Sequence, residues 1–166
     1  MFPSPIKKDL TKRCCRTNFP LCFKFAAERG VVLKKMNKAL EIHDSNLKEI
    51  KNNDLSIILC LDKAIIHHSE GIPGIDKGTC WLQSIEIYLK NASIINEPED
   101  IPNELDYGYF IINGTKYDNM INVPFKESGE IDIMLETLYG NELRINARKI
   151  AIAEINSPQY LQDFEL

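Results

Sequence analysis

The run EIDIMLETLYGNELRINARKIAIAEI, residues 130–155, decides the fold class. Ile131, Ile133 and Leu135 alternate with Asp132, Met134 and Glu136, a period of two that puts a wholly apolar set on one face of an extended chain and two carboxylates flanking a methionine on the other. Gly140-Asn141 interrupts the pattern, Leu143 and Ile145 resume it, and Asn146-Ala147 reads as a second turn ahead of Ile150 and Ile152. The expectation is three short antiparallel strands.

The same period extends outward. In YGYFIINGTKYDNMINVPF, residues 107–125, Asn113-Gly114 separates two β-rich runs, and both residues tolerate the positive φ of a tight hairpin turn. WLQSIEIYLK, residues 81–90, points Trp81, Ile85, Ile87 and Leu89 one way and Ser84, Glu86, Tyr88 and Lys90 the other. LSIILCL, residues 55–61, is apolar on both faces, as befits a strand covered on both sides. INEPEDIPNELD, residues 95–106, has two prolines and several turn formers and reads as a surface loop. Residues 37–53 fit either an edge strand at KALEI or a short helix capped by Ser45, and Tyr160 and Phe164, four apart after Pro158, suit a closing helical turn. INGTKY at 112–117 and INARKI at 145–150 suggest two copies of one hairpin in stacked sheets. The predicted fold is all-β: an antiparallel β-sandwich or flattened barrel of about seven or eight short strands with one or two short helices.

The segments DYGYFIINGTKYDNMINVPF, GEIDIMLE, YGNELRINARKIAIAEI and YLQDF together resemble a group of small uncharacterised bacterial all-β proteins, over about residues 40–166. The resemblance implies the fold and transfers no catalytic residue. By analogy, some bacterial all-β proteins of this size and acidity are immunity proteins that neutralise a competitor's toxin.

Charge divides the chain. Residues 1–35 carry nine Lys/Arg against Asp9 and Glu28, a balance of +7, whereas the remainder carries eleven basic and 22 acidic side chains, a balance of −11. Three of the five cysteines also precede Met36. Residues 1–35 are therefore read as a basic extension, with Met36 the expected native start and residues 36–166 a single all-β domain. FPLCFKFAA, residues 19–27, is broken by Lys24 and makes a poor secretory core. The cysteines form neither a paired framework nor a metal knuckle, so reduced thiols and a cytoplasmic location are expected. No apolar run approaches the roughly 20 residues that cross a bilayer as a helix. Neither a membrane nor a nucleic acid is an expected partner, because the acidic domain repels phosphates.

Motifs for chemistry are weak. GIPGIDKGT, residues 71–79, nearly spells a phosphate loop, but Lys77 precedes Gly78 and a strand pattern follows where a helix is needed. His67 and His68 are strand neighbours that point to opposite faces, so they do not share a metal; His43, Asp62, Glu70 and Cys80 have no recognised ligand spacing with them. Cys60, between leucines, reads as inert core. No catalytic residue, metal or cofactor is assigned. The remaining candidate is a contact for a basic protein, such as a toxin domain. Glu97, Glu99, Asp100, Glu104 and Asp106 fall within ten residues free of Lys and Arg. Tyr107, Tyr109 and Tyr117 follow, and tyrosine combines apolar area with a hydrogen bond at interfaces. The expected function is a non-enzymatic acidic binding module, most concretely an immunity protein; the alternatives are a small-ligand β-barrel or an enzyme with a site near His67 and His68.

Overall fold

The computed structural model describes residues 37–165, so the extension expected at 1–35 lies outside the described residues. Eleven strands follow in chain order. They are β1 (Lys38–Glu41), β2 (Asn46–Asn53), β3 (Ser56–Ser69), β4 (Gly78–Lys90), β5 (Ser93–Asn96) and β6 (Asn103–Ile112), then β7 (Thr115–Asp118), β8 (Met120–Asn122), β9 (Phe125–Thr137), β10 (Glu142–Glu154) and β11 (Gln159–Phe164). Every pairing is antiparallel, and the described residues contain no helix.

Six strands close on themselves. β2 pairs β3, β3 pairs β4, β4 pairs β10, β10 pairs β9, β9 pairs β6, and β6 returns to β2. Four of these strands outrun their barrel neighbour on one edge, and a second partner takes up the remainder. β1 continues β2's place along β3, β11 continues β10's place along β4, β5 continues β4's place along β10, and β7 continues β2's place along β6. β8 then adds to β1. Main-chain groups that would form an exposed edge are satisfied in this way.

The interior holds the apolar residues the alternation singled out. Leu59, Leu61, Ile85, Ile87, Ile133, Leu135, Leu143 and Ile145 belong to one buried cluster, joined by Phe110 from β6. Phe110 is its largest fully buried side chain. Asn113 and Gly114, with φ of 50° and 80°, make the tight turn between β6 and β7.

Several expectations are corrected. There are eleven strands, and β3, β4, β9 and β10 run 13 or 14 residues. Asn146-Ala147 is no turn: β10 passes straight through it, with a register shift between Ala147 and Lys149. One extra residue in a ladder breaks the alternation just as a turn does when only sequence is visible. INARKI therefore lies inside a strand and is not a second hairpin. Asn46–Asn53 is strand β2 rather than part of a helix capped by Ser45, because Leu47 joins the barrel core and main-chain partners stand on both sides of Asn46 and Leu47. The closing segment is β11, also a strand.

Bulges decide which face later residues occupy. Ile57, Leu59 and Leu61 of β3 face the core; Lys63, at φ 54°, sits in a bulge, and beyond it Ala64 and Ile66 face the core instead. His67 consequently turns to the outer side. The bulge in β11 between Tyr160 and Gln162 has the same effect: Tyr160 meets Trp81 edge-on at 5.4 Å on one face, and Phe164 meets His67 edge-on at 5.6 Å on the other.

Candidate partner-binding face

Register across β6, β9 and β10 sets the outward side chains in rows. The first row runs Tyr107, Glu136, Glu142; the second Tyr109, Met134, Arg144; the third Ile111, Asp132, Asn146. β7 extends the sheet beyond β6, placing Asp118 beside Tyr109 and Lys116 beside Ile111. Facing the other way, Ile131, Ile133 and Leu135 belong to the core, so alternation alone dictates that Asp132, Met134 and Glu136 point out.

The charges on this face are unevenly compensated. Lys116 pairs with Asp118 at 3.1 Å, Arg144 with Glu142 at 3.1 Å, and Arg148 with Glu130 at 3.6 Å. Asp132 and Glu136, in the middle on β9, make no ion pair among the described residues. The tyrosines beside them are held in place. Lys116 lies 4.7 Å from the Tyr109 ring centre and donates to the Tyr107 hydroxyl at 3.2 Å, while that hydroxyl donates to Asp118. Burial first, and then the bond to Asp118, raises the Tyr107 pKa above the ordinary tyrosine value, so the ring presents a neutral hydroxyl.

The acidic segment adjoins the first row. Asn96 donates to the Glu142 carbonyl at 2.6 Å and Leu138 N donates to the Glu104 carbonyl at 2.8 Å, so residues 97–102 cross the end of the β9–β10 hairpin. Glu97 and Glu99 are exposed there. Asp100 is engaged internally: its carboxylate accepts from Thr137 Oγ1 at 2.7 Å and Asn103 Nδ2 at 2.8 Å, and the Thr137 bond leads the causes that lower its pKa. Glu104 sits half-buried opposite Asn46. Asp106 is exposed and stands 3.8 Å from His43, on the flank of the barrel. Tyr117 turns to the core side, opposite Phe110, and packs edge-on against Phe125 at 5.6 Å. Of the eight residues singled out in the sequence, the structure thus gathers Glu97, Glu99, Tyr107 and Tyr109 around one face. Asp132 and Glu136 were missed. Their alternation showed them pointing out, but nothing in the sequence showed that β6 would bring the tyrosines alongside.

An open depression of about 490 Å³ continues the third row, lined by Ile111, Gly114, Glu130, Asp132, Asn146 and Arg148 among others. His67 and His68 do not line it. His68 stacks on Trp81 with ring centres 5.5 Å apart, and burial, followed by the nearby Lys38 charge, lowers its pKa.

Comparison with protein-family models, with curated proteins and with solved structures finds no match for this chain. No helix among the described residues is long and apolar enough to cross a membrane.

Proposed function

We propose that the chain is a non-enzymatic binding module for a basic protein, with neutralisation of a toxin domain as its biological form. The observation that carries this reading is the pair Asp132 and Glu136. Both stand on the outer wall of the barrel, Glu136 beside Tyr107 and Asp132 one row beyond Tyr109, and the neighbouring basic side chains Lys116, Arg144 and Arg148 already have carboxylate partners. A cationic partner is attracted by carboxylates that make no close ion pair among the described residues, Asp132 acting on Arg144 only at longer range, and aromatic rings with few rotatable bonds supply contact area at low entropic cost. The filled apolar interior leaves recognition to the outer surface. The acidic balance of −11 after residue 35 adds long-range attraction.

The test uses the product of the adjacent gene as the candidate partner. Its association with the wild-type chain is followed by stopped-flow fluorescence at low salt and compared with an Asp132→Asn/Glu136→Gln variant. The expected result is an on-rate lower by on the order of tenfold in the variant. Absence of binding, or an unchanged on-rate, overturns the reading. Glu97→Gln/Glu99→Gln tests the loop separately; Asp100 is left intact because its carboxylate holds the loop to Thr137.

A further inference from the structure

On the side of the sheet away from the barrel core, three ionisable side chains from three strands stand in line. Cys80 of β4 is the register partner of His67 of β3, and Glu41 of β1 lies opposite the neighbouring Ile65. Cys80 Sγ is 3.5 Å from His67 Nδ1, and His67 Nε2 is 2.6 Å from Glu41 Oε2. All three are buried, at 0%, 3% and 3% exposure respectively. The imidazole therefore uses its two nitrogens on two different partners. That is the wrong geometry for a shared metal ion, whose ligands converge, and the right one for proton transfer along a line. With Nε2–H donating to the Glu41 carboxylate, Nδ1 presents its lone pair to the thiol, which donates to it.

Among the described residues, β11 covers the cysteine. Ile65, Cys80 and Phe164 form a small second core, with Leu82 and Leu161 packed against it. Phe164 lies edge-on to His67 and belongs to β11, which among the described residues pairs only with β4 and has an interrupted register. A strand held along one edge is among the elements that open at lowest cost.

We infer that Cys80 is a nucleophile toward small carbon electrophiles, activated by His67, oriented through Glu41, and gated by displacement of β11. In the reaction the thiol proton passes to His67 Nδ1 and the sulfur lone pair forms an S–C bond. The leaving group departs with the pair of the broken bond, as iodide does when the electrophile is iodoacetamide. This inference is independent of the outer face and of its partner.

The probe is iodoacetamide at pH 7 on the full chain, with each cysteine's alkylation rate read by peptide mass mapping and Cys60 as the internal reference. In Phe164→Ala, Cys80 is expected to react faster in the native state than in the same chain unfolded in denaturant, on the order of tenfold. His67→Gln in that background is expected to abolish the acceleration and leave the Cys60 rate unchanged. A folded Phe164→Ala chain whose Cys80 reacts no faster than in denaturant overturns the inference, as does a rate indifferent to His67. If circular dichroism shows that Phe164→Ala has lost its strand content, Phe164→Leu replaces it under the same native-against-denatured comparison. A silent Cys80 there also overturns the inference.

Discussion

His43 and His68 differ in what surrounds them, and pH separates them. A hydrogen bond that His43 donates to the Asp44 carboxylate leads the causes that raise the His43 pKa above 6.5, whereas burial leads those that lower the His68 pKa below it. For His43, stability is present below pH 6.5 and is lost as pH rises through the folded value. For His68, stability is present above pH 6.5 and is lost as pH falls through the folded value, because the unfolded chain takes the proton first. The two oppose each other on acidification. Urea unfolding at pH 7.5 and pH 5.5 checks this: His68→Gln should tolerate the lower pH better than wild type, and His43→Gln should tolerate it worse. Parity in the sequence separates His67 from His68 onto opposite faces, and they do occupy opposite faces. Which one faces the barrel core depends on the bulge at Lys63, where a lysine takes a positive φ that no neighbouring residue announces.

Among the elements, β6 is the one on which the face depends, and Gly108 is the residue it cannot change. A Cβ added there meets Ile42 Cγ2 and Leu135 Cδ2, each at 2.7 Å. Gly108→Ala is expected to destabilise the protein by about 1–3 kcal/mol, because one methyl overfills a closed interior. The readout is the urea midpoint, and β6 pairing can be followed through the Tyr107 and Tyr109 signals. Strand existence was legible over β4 and β9 because each alternates for several residues, over β3 because its short apolar run suits a strand covered on both sides, and over β6 because Asn113-Gly114 marks a hairpin. β2 and β11 were not, since Leu47 followed by Ile50, and Tyr160 followed by Phe164, imitate helical spacing. Both strands carry a bulge where the parity slips, between Leu47 and Glu49 and between Tyr160 and Gln162.

For the whole molecule, closure and charge act together. The barrel buries its apolar side chains in the interior and in a small second cluster under β11, so the acidic surplus is displayed on the rest of its outside. Association with a basic partner is expected to slow steeply between about 50 mM and 500 mM salt, since the Debye length shrinks well below 10 Å over that range. A stopped-flow salt series on the adjacent-gene product measures it, and an on-rate independent of salt would exclude steering by this surface. Composition and alternation by themselves determined an all-β, antiparallel chain with an acidic body, and named part of its core. Those properties follow from the two-residue period of an extended backbone, which each segment carries locally. Only the tertiary structure decided the six-strand closure, the rows that set Asp132 and Glu136 beside the tyrosines, and the alignment of Glu41, His67 and Cys80. These depend on register and on bulges between segments as far apart in the chain as Ile85 and Glu154, and local spacing does not encode which strand will lie next to which.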